Sequence, residues 1–373
     1  MEASQVAAVV VTYNRRDMLG VCLDALLGQS VGDFGIVVVD NGSTDDTSSL
    51  VAQYKDPRVR YYNTGANLGG AGGFNWGMKQ AIADGYEYLW LMDDDVAPEP
   101  TALAELIAAD QELHGDYGFL SSGVYWTDGT PAKMNIQHTT LTRKLDVAPM
   151  QLGDGEKSVS APGLGDGDDS SSASGLVPSV PSRPPRLGGR GRGESASVPG
   201  VEGRGEVAPE LGNGGGMSRV EPTPASTHPI PIVLATFVSF FVPARVVRRF
   251  GYPIADFFIW ADDWEYSRRI SREIPGYAVL SSQVIHHLAT NSPGTIATDA
   301  PERFWRYRYS YRNEVYLYRR EGIRGVVLYL ARLALHTLRI LRDAKDRRWQ
   351  RLKLMYSSAW AGIRFNPKIE YPS

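Results

Sequence analysis

The densest group of chemically useful side chains is a run of three aspartates, Asp93, Asp94 and Asp95. The run follows the apolar residues 88–92, a pattern that is typical of a buried strand. Adjacent carboxylates repel one another unless a cation or solvent compensates, and alternation along the strand places Asp93 and Asp95 on the same side. Two such oxygen donors suit a hard divalent ion, Mg²⁺ or Mn²⁺, that bridges to a diphosphate. An acidic turn that caps the following helix is the alternative interpretation.

A second acidic pair, Asp262 and Asp263, lies among aromatic residues that include Trp260 and Trp264. Carboxylates in the first turn of a helix are stabilised by the helix dipole, which is one explanation of the pair. A carboxylate that aromatic rings partly desolvate has a raised pKa, and this suits a general base. The residues alone leave both roles open.

His286 and His287 end an apolar segment with the pattern of a strand. A single histidine is more often structural than a ligand, but a neutral imidazole could complete a metal shell that begins at Asp95. The end of a strand at this point favours one ring of the pair pointing inward.

The segment NLGGAGGF at residues 67–74 is rich in glycine but matches neither common nucleotide-binding motif. Counting G-x-G from Gly70, the third glycine of the dinucleotide-binding pattern falls on Asn75, and no Gly-Lys-Ser/Thr closes a Walker A loop. Glycines at the start of a helix let the backbone approach a phosphate or a sugar closely. Turn geometry alone is the alternative explanation.

The elements that must position these residues alternate between strand and helix patterns. Apolar periodicity predicts strands at 6–11, 36–39, 59–62, 88–92, 230–241, 277–280 and 284–287, and helices at 16–27, 73–83, 98–113, 262–270 and 324–342. This rhythm indicates an α/β fold with a mostly parallel sheet and crossover helices. Ligands of such sheets bind beyond the carboxyl ends of the strands, where Asp40 and the aspartate run are expected.

The composition excludes several classes of protein. The chain has 39 Lys and Arg residues against 42 Asp and Glu, a net charge of −3 over 373 residues, which excludes a generic nucleic-acid binder. The single cysteine, Cys22, excludes a disulfide scaffold and a cysteine-based zinc site. No basic segment precedes the short apolar run at 6–11, so we expect no signal peptide and a cytoplasmic protein.

Two regions depart from the α/β pattern. Residues 153–226 contain no aromatic residue and are rich in Gly, Pro and Ser, so we expect a disordered insertion that cannot offset its ordering entropy. Residues 303–353 are strongly basic, and 324–342 form an amphipathic helical pattern with Arg332 and Arg339 on one face. An interfacial membrane helix and a basic helix packed on the protein or in a dimer are both open.

Taken in order, these features resemble the family 2 glycosyltransferases of GT-A fold. The matching segments are VVVTYNR (9–15), VVVDNGSTDDT (37–47), NLGGAGGFNWGM (67–78), WLMDDD (90–95), WADDWEY (260–266) and HH (286–287). The similarity covers about residues 5–125 and 230–320. The glycine-rich form with a triple aspartate is most similar to bacterial galactofuranosyl- and rhamnosyltransferases that build cell-wall polysaccharides.

The resemblance implies a role for each motif. Donor-binding residues would be Thr12, Tyr13 and Arg15 around the nucleotide, Asp40 on the pyrimidine base, Asn67, Gly69, Gly70, Gly72 and Gly73 along the sugar and diphosphate, and Asp94 near the sugar. Asp93 and Asp95 would bind the metal as a D-x-D pair, together with His287, the last residue before Leu288; His286 stays open. Asp263 would be the catalytic base, and Asp262 would grip the acceptor beside Trp260 and Trp264.

The implied reaction is an inverting, metal-dependent sugar transfer with Mn²⁺ or Mg²⁺ as cofactor. The donor would be UDP-galactofuranose, which is favoured, or dTDP-rhamnose, and the acceptor a polyprenyl-diphosphate-linked cell-wall glycan. The basic C-terminal region would hold the enzyme peripherally on the inner face of the plasma membrane. No nucleic acid is expected as a partner, and a homo-oligomer is left open.

The same resemblance divides the chain into four parts. We expect a nucleotide-sugar-binding half at 1–152, the disordered insertion at 153–228, an acceptor-binding and catalytic half at 229–302, and a basic, amphipathic helical region at 303–373. Two functions of other classes are the alternatives. The intact acidic motifs argue against a non-catalytic scaffold subunit of a polysaccharide assembly complex. Only Arg15 and Arg16 are available as a basic phosphate-gripping loop near the N-terminus, which argues against a nucleotidyltransferase.

Overall fold

The computed structural model describes residues 1–150, 228–292 and 294–372, so the predicted insertion at 153–228 lies outside the described residues except for its last position. The strands are β1 Val6–Thr12, β2 Gly35–Asp40, β3 Val59–Asn63, β4 Tyr88–Asp93, β5 Val96–Pro98, β6 Phe119–Trp126, β7 Ile230–Ile232, β8 Phe240–Pro243 and β9 Gly276–His286. The α-helices are α1 Arg16–Leu27, α2 Thr47–Val51, α3 Gly69–Ala83, α4 Ala102–Glu112, α5 Ala244–Phe250, α6 Asp262–Ser271, α7 Phe304–Arg319, α8 Gly322–Asp343 and α9 Arg348–Arg364.

The strands of the described residues form one sheet in the order β3-β2-β1-β4-β8-β6-β9-β5, with β7 paired to β9. The longest ladders are parallel and join β1 to β2, β1 to β4, β2 to β3 and β6 to β9. Strand β8 enters antiparallel between β4 and β6, so that the two parallel halves share a single sheet. The predicted α/β class with a mostly parallel sheet is confirmed.

The first strands are buried on both faces, as their continuous β-branched runs predict. All residues of β1 and β2 are buried, and α1 and α3 lie on opposite faces of the sheet in two separate apolar clusters. The register pairs Thr12 with Asp40 and Val11 with Asp93. The polar residues that end β1, β2 and β4 therefore meet at one edge of the sheet.

Several element boundaries differ from the prediction. The apolar segment 230–241 is two short strands, β7 and β8, rather than one. The two strands predicted at 277–280 and 284–287 are one strand, β9, whose register against β6 shifts where the sequence pattern breaks. Residues 96–98 form strand β5, which pairs with β9, so helix α4 begins only at Ala102. Helix α3 begins at Gly69, four residues before its predicted start. Strand β6 was not predicted.

The C-terminal region is helical, as predicted. Side chains of α7, α8 and α9 form one apolar cluster, which includes Tyr311, Leu333, Ile340 and Met355. Arg332 of α8 makes a two-pronged ion pair with Glu314 of α7, at 3.0 Å for each nitrogen. Among the described helices, none is both long and apolar enough to cross a membrane.

Candidate active site

The aspartate run forms a buried acidic cluster at the carboxyl end of β4. One oxygen of Asp95 lies 3.1 Å from Nε2 of His286, and the other lies 3.0 Å from the guanidinium of Arg15. Asp94 accepts a 2.7 Å hydrogen bond from the hydroxyl of Thr12 and lies 3.7 Å from Arg15. The strand ends β1 and β4 thus bring together residues that lie more than 80 positions apart in the chain.

Three residues of this cluster fit a divalent cation. One ligand atom from each of Asp93, Asp95 and His286 can be chosen so that all three lie within 4.8 Å of one another. Both oxygens of Asp95 and Nε2 of His286 are buried, and they contact one another and Arg15 at ion-pair distances. Two carboxylates and an imidazole are an appropriate donor set for Mn²⁺ or Mg²⁺.

The structure favours His286 over the predicted His287 as the histidine of this group. Strand β9 ends at His286, whose ring is buried, and Nδ1 lies 2.9 Å from Oδ1 of Asn135. That contact orients the ring so that Nε2 faces Asp95, as the hydrogen-bond partners of metal-binding histidines do. The backbone N–H of His287 donates to the carbonyl of Asp95 at 2.8 Å, and among the described residues the group that could hold a cation includes His286 and not His287. Which histidine binds the metal stays a prediction, and this geometry favours His286.

Burial and mutual repulsion set the protonation of the acidic cluster. Desolvation, followed by the charge of Asp95, raises the pKa of Asp93 to about 7. Desolvation also raises the pKa of Asp94 to about 7, against the opposing effect of Arg15. Burial alone would raise the pKa of Asp95 as well, but His286 and Arg15 outweigh it and hold the Asp95 pKa below its ordinary value. A cation bound here would neutralise the charge of the ionised carboxylates and so remove the need for them to be protonated.

The second acidic pair begins α6 after a strained loop. Phe258, Trp260 and Ala261 have positive φ angles of 65°, 65° and 66°, a conformation that costs energy for residues with side chains. Asn313 of α7 compensates, because its side-chain amide donates to the carbonyls of Phe257, Ile259 and Trp260 at 3.0, 3.1 and 2.8 Å. The loop delivers Asp262 and Asp263 to the first turn of α6.

The two carboxylates of this pair share one cavity with the acidic cluster. The cavity has a volume of about 690 Å³, and the predicted site residues that line it are Gly70, Asp93, Trp260, Asp262, Asp263 and Trp264, together with His286. Desolvation raises the pKa of Asp262 to about 7. Desolvation and the charge of Asp262 raise the pKa of Asp263 well above its ordinary value. A raised pKa is the property that a general base at neutral pH requires.

The predicted nucleotide side of the site lies at the ends of β1 and β2. Asp40 is buried, and its oxygens already accept bonds from the backbone N–H of Ser43 at 2.7 Å and the hydroxyl of Tyr61 at 2.5 Å. Tyr13 is also buried, and it follows Thr12, the residue that pairs with Asp40. The side chain of Arg15 lies on Asp94 and Asp95 rather than along the predicted pocket. Binding of a base by Asp40 stays a prediction.

The predicted glycine-rich segment forms the first turns of α3, and packing explains most of its glycines. A Cβ at Gly73 would lie 2.5 Å from a methyl group of Val11, and one at Gly72 would lie 2.6 Å from Cβ of Leu68. Gly69 has a φ of +71° and a Cβ there would collide with the backbone of Phe258. Asn67 accepts the N–H of Gly69, while its amide nitrogen is buried without a partner among the described residues. That nitrogen is a free donor for a ligand.

Sequence reasoning missed residues that support the site. Asn135 and Asn313 hold His286 and the loop before α6, but an isolated asparagine carries no sequence signal for such a role. His138 also lines the cavity, packed edge-on against Trp264 with its ring buried.

The fold and the site define an α/β domain with an acidic cavity at the carboxyl ends of its strands. Residues 7–157 match the sequence model described as glycosyl transferase family 2. This part of the chain matches the family 2 glycosyltransferases, as the resemblance predicted.

Among curated proteins, the chain is 38% identical over 109 residues to the galactofuranosyltransferase GlfT1 of Mycolicibacterium smegmatis, which covers 29% of this chain and 36% of that protein. It is 32% identical over 111 residues to the GalNAc(5)-diNAcBac-PP-undecaprenol beta-1,3-glucosyltransferase of Campylobacter jejuni, which covers 29% of this chain and 35% of that protein. Both matches thus span about a third of the length of the relative.

Solved structures similar to this chain include residues 1–349 of TarS from S. aureus, with a TM-score of 0.45 and 14% identity over 97% of this chain and 72% of that one. Another is the mannosyltransferase PcManGT from Pyrobaculum calidifontis in complex with GDP-Man and Mn²⁺, with a TM-score of 0.46 and 13% identity over 97% of this chain and 76% of that one.

Proposed function

We propose that this protein is an inverting, metal-dependent glycosyltransferase that moves a sugar from a nucleoside diphosphate to a hydroxyl of a lipid-linked glycan. One observation carries the proposal above the others. Asp93 and His286, which with Asp95 could hold a cation, line the same cavity as the carboxylate pair Asp262 and Asp263, although these residues belong to distant parts of the sequence. Sugar transfer requires a site for the leaving diphosphate beside a base for the acceptor.

In this mechanism Asp93, Asp95 and His286 would hold the divalent cation. The cation, when bound, supplies positive charge that stabilises the diphosphate as it leaves the sugar. Asp263 accepts the proton of an acceptor hydroxyl, and that oxygen attacks the anomeric carbon from the face opposite the diphosphate. Asp262 orients the acceptor beside Trp260 and Trp264, whose rings suit the apolar faces of a sugar.

Galactofuranose is the favoured sugar, because the motifs resemble those of galactofuranosyltransferases and GlfT1 is the relative with 38% identity. The polyprenyl-diphosphate acceptor has support from the Campylobacter relative, whose name includes PP-undecaprenol. We place the enzyme on the inner face of the plasma membrane, where such acceptors are elongated from cytoplasmic donors.

Calorimetry with a donor panel tests the proposal. Purified protein is titrated with UDP-galactofuranose, UDP-galactopyranose, UDP-glucose, UDP-N-acetylglucosamine and dTDP-rhamnose, with Mn²⁺ and again with EDTA. We expect metal-dependent binding of UDP-galactofuranose, and dTDP-rhamnose in its place would make the protein a rhamnosyltransferase. Failure of every nucleotide sugar and nucleoside diphosphate to bind folded protein would refute the transferase and favour a scaffold subunit. The variant Asp95→Asn is the control, since it should remove the metal dependence without unfolding the sheet.

A further inference from the structure

Helix α8 has two faces of different chemistry. On its inner face, Tyr329, Leu333 and Ile340 are buried in the cluster with α7 and α9, and the hydroxyl of Tyr329 donates to the carbonyl of Tyr311 at 2.9 Å. These contacts, with the ion pair of Arg332 described above, fix the rotation of the helix about its axis. The opposite face is therefore exposed by the packing of the fold itself.

That opposite face is apolar along the length of the helix. We call it the outer face of α8 and define it by Ile323, Val327, Leu330, Leu338 and Leu341, which are between 46% and 76% exposed. Successive members are three, four or eight residues apart, so they form a single stripe along the helix. A contiguous exposed stripe of large aliphatic side chains is unusual in a soluble protein and marks a surface that binds something.

Aromatic side chains of α9 extend this surface. Trp349, Tyr356 and Trp360 are 80%, 49% and 61% exposed and recur on one side of α9. The hydroxyl of Tyr356 lies 2.8 Å from the hydroxyl of Thr337 on α8, so the two helices present their exposed side chains next to each other. Tryptophan and tyrosine are the residues that favour the boundary between lipid headgroups and acyl chains.

Basic side chains around this surface of α8 and α9 favour an anionic partner. Residues 322–364 contain ten Lys and Arg residues and two acidic ones, and Arg324, Arg342, Lys345 and Lys353 are exposed near the apolar side chains. Two copies of the chain that paired through this face would bring like charges together, which opposes a dimer. A surface of anionic lipid matches both the apolar stripe and its basic margin.

We propose that the outer face of α8 and the exposed aromatic residues of α9 dock on an anionic lipid bilayer, with α8 lying in the headgroup region. The inner side of the same helix contributes Arg332, His336 and Arg339 to the wall of the catalytic cavity. A helix with its side chains is about 10–12 Å across, so docking would hold the cavity one helix width from the lipid. The inference extends the proposed function, since a lipid-linked acceptor would reach the site from such a surface.

Co-sedimentation of the full-length protein with vesicles tests the proposal without donor or acceptor, so its outcome is independent of sugar transfer. The vesicles are phosphatidylcholine alone or with 30% phosphatidylglycerol, a composition that we choose to mimic an anionic surface. We expect binding to the anionic vesicles that weakens at high salt. The double variant Leu330→Glu/Leu338→Glu should bind at least about tenfold more weakly, because two exposed leucines that would enter the lipid are replaced by charges that anionic lipid repels.

The control variant is Val21→Glu, which places the same charge at an exposed apolar position of α1 that is 41% exposed. It should bind vesicles like the unchanged protein, and all three proteins should unfold at the same temperature because the altered side chains are exposed. Equal vesicle binding by the double variant, or no binding by the unchanged protein, overturns the proposal. A dimer in solution that the double variant dissociates, without vesicle binding, would assign the surface to a second copy instead.

Discussion

Asp263 is the side chain whose surroundings best match a proton acceptor. It lies in the cavity, its Oδ1 accepts the backbone N–H of Trp264 at 2.7 Å, and its pKa is raised by burial and by Asp262. We expect Asp263→Asn to lower turnover by about 10²–10⁴-fold, the usual contribution of a general base, with donor affinity unchanged. Steady-state kinetics and donor calorimetry measure the two effects separately.

The matched control for this substitution is Asp256→Asn, an exposed carboxylate in the segment before α6. It changes the same functional group outside the cavity and should leave turnover as it is. Undiminished turnover in Asp263→Asn would remove this residue from the mechanism.

The two adjacent histidines provide a paired test of the metal site. We expect His286→Ala to weaken Mn²⁺ binding at least about tenfold, because the ring that faces Asp95 is lost, while His287→Ala changes it little. Calorimetric titration with Mn²⁺ alone, in the absence of any nucleotide, reads this out. Equal losses in the two variants, or a larger loss in His287→Ala, would contradict the geometry.

At the residue scale, the sequence allowed prediction of groups that are contiguous in the chain. The aspartate run and the pair at Asp262 carry their own local signal. The histidine could not be chosen, because the choice depends on where the alternation of β9 ends. Asn135 and Asn313 act on residues about 150 and 55 positions away, which no local pattern encodes.

At the scale of elements, the loop between helices α5 and α6 is the strained part of the site. Three residues with positive φ precede the catalytic pair, and Asn313 satisfies three of the loop's carbonyls. We expect Asn313→Ala to reduce kcat by a larger factor than it changes the KM of the donor, because the loop positions Asp263, whereas the proposed cation ligands lie at the ends of β4 and β9. Stopped assays at saturating donor, well below the unfolding temperature, measure this.

Gln29 offers a control for the stability cost of that substitution. Its buried side-chain amide also donates to three carbonyls, those of Ala25, Pro98 and Glu99, far from the cavity. Gln29→Ala should destabilise the protein by a similar amount, about 1–3 kcal/mol, without the loss of kcat. If both variants lose activity equally, Asn313 serves only stability.

The limits of strands and helices were predicted well where the apolar periodicity is strong. They were predicted poorly where pairing with distant strands determines which residues are extended. The limits of α1 and of the first four strands agree closely because their apolar patterns are long and uninterrupted. Strand β5 spans three residues and exists through its pairing with β9. The segment 230–241 is uniformly apolar, so its division into β7 and β8 follows from which neighbours each part meets.

At the scale of the whole molecule, the fold brings several buried carboxylates together, which lowers the free energy of unfolding when they are ionised. Asp93, Asp94 and Asp262 have a pKa of about 7, far above the ordinary value of 3.8 that each has in the unfolded chain. Between about pH 4 and 7 the folded protein therefore binds more protons than the unfolded protein. His286, with a raised pKa, acts in the same direction.

The free energy of unfolding in EDTA should consequently fall as the pH rises from 5 to 8, since each pKa unit corresponds to about 1.4 kcal/mol. Asp95 has a lowered pKa, so its contribution is lost only at more acidic pH, outside this window. Adding Mn²⁺ at pH 8 should restore stability, because the cation binds the ionised carboxylates of the folded state alone. Thermal unfolding followed by circular dichroism at each pH, with EDTA or with Mn²⁺, measures both effects. An unfolding temperature that stays level or rises between pH 5 and 8 in EDTA would show that repulsion among the carboxylates does not destabilise the fold. An absence of stabilisation by Mn²⁺ at pH 8 would count against a cation site at this cluster.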